Sequence, residues 1–263
     1  MFTDFLYDNE FASDYNLVPC TFDSANGAET VSVGSNLTLN AVKPVGRNES
    51  SIFGSQYNED YTATFQCCKV DKYNRPLEIV AEEFSQISRW LNRNDGIHEF
   101  KINGNGSENI RFFGTFNAQA IKVNDVIYGV ECTLLTNSPY AFADEMNVVL
   151  RGKQFSLYDS SDETYEIYPD VKITCNESGN LAIENSLDNE IFKIQNCVNG
   201  EVITISGTTR VLSSSVATHN VVDDFNYNYI KIVNTYKNRM NEFTSSIDVT
   251  IEFQYSPIRK VGI

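Results

Sequence analysis

The stretch Asp248-Val-Thr-Ile-Glu-Phe-Gln-Tyr255 alternates strictly between polar and apolar residues. A period of two places every second side chain on one face of a strand, so we expect a half-buried strand here, over about 247–256, as the last strand of the chain. Shorter alternating runs lie between clusters of Asn, Gly, Ser and Asp, which favour turns. They cover residues 61–70, 109–116, 125–134, 171–175, 181–183 and 203–205. The chain is therefore predicted to be mainly β.

One segment departs from this pattern. Residues 76–95 carry apolar side chains at spacings of three and four, the period of a helix with one buried face. This stripe consists of Leu77, Val80, Phe84, Ile87 and Leu91. Pro76 suits a first helical turn, and Gly96 suits the left-handed position after the last one. We expect a single amphipathic helix over about 76–95, packed on one face of a sheet.

Two segments show neither period. Residues 43–60 contain Pro44, Gly46 and Gly54 and are predicted to be a long loop, of a kind that is functional or mobile in compact domains. The alternation also stops around 136–140, where we place the domain boundary with Pro139 and Tyr140 at the junction. This divides the chain into domains of 1–140 and 141–263.

The composition is that of a globular protein with an acidic surface. Of 263 residues 41% are hydrophobic, and 20 basic against 35 acidic side chains give a net charge of −15. This balance disfavours nucleic-acid binding, which needs clustered Lys and Arg. No run approaches the roughly 20 apolar residues of a membrane-spanning helix. The first 42 residues contain no Lys or Arg, so we expect no secretory signal and no membrane insertion.

The six cysteines form no C-x-x-C pair. They are Cys20, Cys67, Cys68, Cys132, Cys175 and Cys197. Without a secretory signal we expect them to be reduced and most of them to be small core residues, with three disulfides as the alternative.

No motif predicts catalysis. His98 follows the predicted helix, where the helix dipole favours an imidazolium, and His219 lies in a polar turn, so both are expected to be structural. The acidic clusters at 159–163 and 223–224 are interpreted as solvated loops, with a glycosidase carboxylate pair as the alternative. The only Trp, Trp90, is expected in the core. We therefore expect no catalytic residue, no metal and no cofactor.

The order of the parts is more informative than any single motif. A strand and turn over Phe5–Tyr15 precede a long loop, a strand with Phe65, a helix with Arg89-Trp-Leu91, and a strand pair that closes with Cys132-Thr-Leu-Leu-Thr-Asn-Ser-Pro-Tyr140. The second half carries Asn199-Gly-Glu-Val-Ile-Thr-Ile-Ser-Gly207 and ends with Ile251-Glu-Phe-Gln-Tyr-Ser-Pro-Ile-Arg259. This order resembles the distal tail protein (Dit) family of bacteriophages and prophages with long non-contractile tails, over nearly the whole chain.

The resemblance implies two β-sandwich-like domains, the N-terminal one with the single helix and the C-terminal one galectin-like. It implies a structural protein rather than an enzyme. N-terminal domains would form a hexameric ring that joins the tail tube protein to the tail-tip or baseplate protein, and C-terminal domains would carry receptor-binding proteins. Such a protein is made in the bacterial cytoplasm and assembled into the virion tail tip, and DNA passes through its ring without specific binding. An acidic lumen would suit that passage, because its negative charge keeps the DNA from adhering.

Within this frame we expect the segment 43–60 to contact a neighbouring subunit, through Arg47 and Phe53. The second half has no Trp, a single His219 and no H-x-N-x-R pattern, so we expect a docking scaffold rather than a lectin. Two alternatives stay open: a monomeric carbohydrate-binding module with exposed aromatic side chains, and a tail-tube-type ring protein that polymerises.

Overall fold

The computed structural model describes residues 2–22, 34–57, 59–104 and 109–263. The chain forms two compact units, one of residues 1–143 and 259–263 and one of residues 144–258. It is mainly β, as predicted, with one α-helix in the described ranges. No helix in these ranges is long and apolar enough to cross a membrane.

The elements of the first unit, in chain order, are β1 (Asp4–Tyr7), β2 (Glu10–Phe11), a 3-10 helix (Ala12–Tyr15), β3 (Leu17–Cys20), β4 (Leu37–Val42), β5 (Ser51–Tyr57), β6 (Thr62–Lys69), α1 (Ala81–Leu91), β7 (His98–Asn103), β8 (Ile110–Val123), β9 (Val126–Thr136) and β10 (Ala141–Ala143). The later strands are β11 (Met146–Tyr158), β12 (Glu166–Ile167), β13 (Asp170–Cys175), β14 (Gly179–Asn185), β15 (Ile191–Cys197), β16 (Val202–Ile205), β17 (Leu212–Ser214), β18 (Ile232–Val233), β19 (Met240–Tyr255) and β20 (Ile258–Arg259).

The first unit is built on an antiparallel sheet with the order β2-β1-β7-β8-β9-β6-β3. Its core is aromatic, and α1 docks on it through Trp90. The indole stacks between Phe5 and Tyr15, with ring centroids 5.6 and 4.6 Å away, and its Nε1 donates a hydrogen bond of 3.1 Å to the carbonyl of Tyr7. The expected helix on a sheet is therefore present, with Trp90 in the core.

The helix begins five residues later than the predicted 76–95. Pro76 forms a bridge with Val70, and the N–H of Leu77 donates to the last carbonyl of β6 at 2.8 Å. The N–H of Ile79 likewise donates to the carbonyl of Ile127 in β9 at 2.8 Å, so residues 76–79 are held against β6 and β9 rather than wound into a further helical turn. Leu77 and Val80, which belong to the predicted buried stripe, are exposed as a result.

The helix also ends earlier than predicted. The Asn92 side chain binds the backbone of β8 at Ala118: its Nδ2 donates to the carbonyl at 3.1 Å, and its Oδ1 accepts from the N–H at 2.6 Å. Arg93 then pairs with Asp8 and, at 2.5 Å, with Asp95. The chain is thus attached to the sheet where the last helical residues were expected.

Residues 259–263 complete the first unit. Val261 and Ile263 pack against its core, and the N–H of Ile263 donates to the hydroxyl of Tyr61 at 3.1 Å. A segment distant in sequence therefore closes the core that begins with β1.

The second unit is organised around the 16-residue strand β19. Along one edge β19 pairs with β11 over its whole length, and along the other edge its first half pairs with β14 and its second half with β13. Both β11 and β19 are irregular midway, where Gly152 has φ +105°. Bends of this kind fold one sheet into two packed layers, and side chains from β13, β14, β15 and β16 share one core.

Asp159 corrects the expectation that the cluster 159–163 is solvated. Its side chain is fully buried, where Oδ1 accepts from the Ser161 hydroxyl at 2.9 Å and Oδ2 from the Asn234 amide at 2.8 Å. A buried carboxylate is tolerated when donors satisfy it, and the Asn234 donor lies too far away in sequence to be anticipated.

His219 lies between two carboxylates rather than in an open turn. Its Nδ1 is 2.5 Å from Glu201 Oε1 and its Nε2 is 3.1 Å from Asp224 Oδ2, so both nitrogens need a proton to donate. Glu201 is buried and also accepts from the Ser214 hydroxyl at 2.5 Å. Burial alone would lower the pKa of His219, but its bonds to Glu201 and Asp224 outweigh burial and raise that pKa. Burial would likewise raise the pKa of Glu201, yet its hydrogen bonds lower it.

Trp90→Ala is expected to lower the free energy of unfolding by about 3–5 kcal/mol, because removing a large buried aromatic side chain leaves a cavity. Urea unfolding followed by circular dichroism measures the loss. Leu77→Ala is the matched control, since Leu77 belongs to the predicted stripe but is exposed, and we expect a loss below about 1 kcal/mol. Equal losses in the two variants would contradict this docking of α1.

His219→Gln is expected to destabilise the protein by about 1–3 kcal/mol near pH 5.5, because it leaves Glu201 without its charged partner. A raised histidine pKa stabilises the fold below the ordinary value of 6.5, and this stabilisation is lost as the pH rises through the higher native value. The difference between wild type and variant, from urea unfolding at several pH values, should therefore shrink toward about pH 8.5. A difference that stays constant over this range would refute the role of the imidazolium.

Candidate interaction surface

The predicted loop 43–60 is in fact half of a β-hairpin. Strand β5 lies within it and pairs only with β4 among the described strands. The register shifts between Leu39, which pairs with Ser55, and Ala41, which pairs with Ile52. Strand β5 therefore has one more residue than β4 between these two pairs, which is a β-bulge. Gly54 lies in this bulge with φ +139°, a conformation that favours glycine. The bulge breaks the period of two, which explains why the sequence did not predict this strand.

The hairpin tip, residues 43–50, contains a tight turn. The Arg47 N–H donates to the carbonyl of Pro44 at 3.2 Å, and Gly46 has φ +83°, which fits the third position of such a turn. Val45, at the second position, is fully exposed, and Arg47 is exposed as well. The turn therefore presents one apolar and one cationic side chain.

One face of the hairpin is mostly apolar and, apart from Tyr57 at its base, exposed. Cross-strand partners share a face, and the pairs Leu37–Tyr57, Leu39–Ser55 and Ala41–Ile52 form this face. We call these six residues the apolar hairpin face. The opposite face carries Thr38, Asn40 and Gln56, with Ser51 and the exposed Val42 at its end.

The apolar hairpin face is unusually exposed for its composition. Leu37, Leu39 and Ile52 are each more than half exposed, and Phe53, in the bulge, is 74% exposed. A two-stranded hairpin alone is marginally stable in water, and contiguous exposed apolar side chains mark a contact with another molecule. The geometry of this hairpin fits a surface that another protein covers.

The base of the hairpin is fastened at the predicted junction. The Ser35 N–H donates to the carbonyl of Pro139 at 2.9 Å, and the rings of Tyr57 and Tyr140 meet edge to face at 6.1 Å. The hairpin that contains Arg47 and Phe53 is thus attached at its base to Pro139 and Tyr140. Sequence reasoning missed Leu37 and Leu39, although the alternation Leu37-Thr-Leu-Asn-Ala-Val42 could have revealed them.

The histidine and carboxylate candidates do not converge on a site. His98 Nε2 is 2.9 Å from Asp95, beside the salt bridge between Asp95 and Arg93 that follows α1. His219 and Asp224 instead pair with each other in the second unit, where His219 also binds Glu201. Within the described ranges no group of three His, Cys, Asp or Glu side chains is placed to hold a metal ion.

Comparisons with known proteins agree on one family. Residues 1–138 match the N-terminal domain of phage tail proteins, and residues 140–255 match a phage tail C-terminal domain. No curated protein sequence matches the chain.

A solved structure shows the same fold. The Dit protein of SPP1 superposes with a TM-score of 0.67 at 9% identity, over 97% of this chain and 99% of that one. Its crystal structure is described as a paradigm of the hub adsorption apparatus in phages that infect Gram-positive bacteria. The expected resemblance is confirmed, and the chain belongs to the phage tail protein family with the fold of a Dit protein.

Proposed function

We propose that this tail protein is the hub of the tail tip: a hexameric ring that joins the tail tube protein to the tail-tip protein. The observation that carries the proposal is the apolar hairpin face, which is uncovered in the single chain. The fold shared with the SPP1 Dit protein supports the same role.

In the ring, the hairpin of each subunit covers a different surface of the next subunit. Such a head-to-tail contact closes when the rotation between subunits fits a whole number of copies. Covering Leu37, Leu39, Ile52 and Phe53 removes apolar surface from water, at about 25 cal/mol per Å². Arg47, at the tip, would pair with a carboxylate of the neighbour, and the excess of 35 acidic over 20 basic side chains makes such partners abundant.

The second unit then serves as a docking platform for receptor-binding proteins. The ring takes part in no catalysis and holds no cofactor, and its acidic composition lets DNA pass without adhering. The chain would be made in the bacterial cytoplasm and act in the virion tail tip.

Light scattering over a concentration series is expected to show a species of about 178 kDa, the mass of a closed ring of six 29.7 kDa chains. Electron micrographs of that species should show a ring with a central hole. Open tubes would favour the tube-protein alternative. A monomer at every concentration, together with saturable binding of cell-wall glycans to the full chain, would favour the carbohydrate-binding module.

Replacing Arg47 and Phe53 together by Ala is expected to weaken ring formation at least tenfold, since truncating a buried anchor costs about 1–2 kcal/mol or more per interface. The measurement is the fraction of hexamer at fixed protein concentration. The matched control replaces Thr38 and Gln56, on the opposite face of the same hairpin, by Ala and should leave the mass unchanged. An unchanged hexamer in the Arg47 and Phe53 variant would refute this contact.

A further inference from the structure

A second exposed surface of the first unit lies where the chain enters α1. Leu77 and Val80 are 39% and 50% exposed, and the carboxylates of Glu78 and Glu82 are exposed as well. Neither carboxylate forms an ion pair within the part of the chain that the structure describes. We call these four residues the 77–82 patch. It combines apolar and anionic side chains that the separate chain leaves in water.

The backbone of the 77–82 patch is firmly attached. Residues 76–79 are hydrogen-bonded to β6 and β9. Glu83 fixes the first turn of α1, because its carboxylate binds the ammonium of Lys69 at 2.6 Å and accepts from the N–H of Val80 at 3.1 Å. A surface with a fixed backbone loses little conformational freedom when a partner binds, which favours affinity.

The hairpin and the 77–82 patch carry opposite charges. Residues 34–57 contain the basic Lys43 and Arg47 and the acidic Glu49, a net charge of +1 in a chain whose net charge is −15. Residues 76–82 contain two acidic side chains and no basic one. Lys43 and Arg47 are exposed, and neither pairs with a carboxylate among the described residues. Complementary charges steer two surfaces together and fix their register.

The two surfaces lie at opposite ends of β9. The hairpin is attached at Pro139, just after β9 ends, whereas the 77–82 patch is attached at Ile127, where β9 begins. The 11 residues of β9 place these ends roughly 30 Å apart. A head-to-tail ring needs two different, complementary surfaces on separate sides of each subunit. The hairpin and the 77–82 patch meet this requirement.

We propose that the 77–82 patch is the surface on which the hairpin of the next copy of this chain docks. The cationic hairpin tip pairs with Glu78 and Glu82, and the apolar hairpin face packs on Leu77 and Val80. This inference rests on the proposed ring and adds the surface that receives the hairpin. The contact exists only between copies, so the small loss expected for Leu77→Ala in the separate chain is unchanged.

Reciprocal charge reversal tests the contact. An acidic-tip variant carries Lys43→Glu and Arg47→Glu, and a basic-patch variant carries Glu78→Lys and Glu82→Lys. Each variant alone opposes like charges at every interface, so we expect its hexamer fraction to fall at least tenfold. In an equimolar mixture, alternating copies bring opposite charges together at every interface, because a ring of six has an even number of members. Native mass spectrometry should then show hexamers with three copies of each variant.

The matched control changes the charge elsewhere by the same amount. Glu184→Lys with Glu242→Lys alters two exposed carboxylates of the second unit, and we expect this variant to assemble like the wild type. It should not restore the acidic-tip variant. A basic-patch variant that assembles normally, or a mixture that does not recover, would overturn this docking surface and leave the hub proposal intact. A wild-type chain that forms no ring at any concentration would contradict the hub proposal and this contact with it.

Cross-linking of the wild-type hexamer tests the same contact without a variant. A carbodiimide joins an amine directly to a carboxylate, so we expect it to link Lys43 to Glu78 or Glu82. Trypsin does not cut before Pro44 or Pro76, which places these residues on the peptides 1–47 and 73–89. When isotope-labelled and unlabelled chains are mixed before assembly, the link should join a labelled peptide to an unlabelled one. A Lys43 linked only to other carboxylates, or not linked at all, would overturn the proposal even if a variant fails to fold.

Discussion

Burial of every second side chain along a strand is the constraint on which both units depend. In β19 all eight odd-numbered side chains from Asn241 to Tyr255 are buried. A slip of one residue against β11 would turn this whole row to solvent. The pairing partners of β19, and through them the layers of the second unit, are therefore fixed by one alternating row. In the first unit, Val130, Cys132 and Leu134 of β9 are constrained in the same way.

The local period also explains which features the sequence predicts. Alternation and the three-to-four spacing are properties of neighbouring residues, so strands such as β9, β13 and β19 and the helix could be found without a structure. The helix bounds could not be found, because Pro76 binds Val70 and Asn92 binds Ala118, contacts that no local pattern encodes. Strand β5 was missed because the bulge at Gly54 interrupts its period.

The burial of several polar side chains could not be predicted from the sequence either. Asp159 belongs to a cluster that was predicted to be solvated, yet it is buried and binds Asn234, 75 residues further along the chain; Glu201 is buried against His219. Lys231 is similar, with its Nζ 3.1 Å from Glu166 and 3.2 Å from Glu190. The candidate surface has the opposite character, since its apolar residues are exposed where composition suggests a core. The burial of these polar groups depends on tertiary contacts, whereas the exposure of the apolar residues is what the proposed contact between subunits would account for.

The return of residues 259–263 to the first unit has a consequence for biosynthesis. Domains generally fold as they emerge from the ribosome, the N-terminal one first. Here the core around Tyr61 lacks Val261 and Ile263 until the 115 residues of the second unit, 144–258, have been translated. The unit that emerges first is therefore the last to be completed. During that interval the N-terminal core of the nascent chain is incomplete. A fully folded subunit therefore forms only after the second unit has been translated.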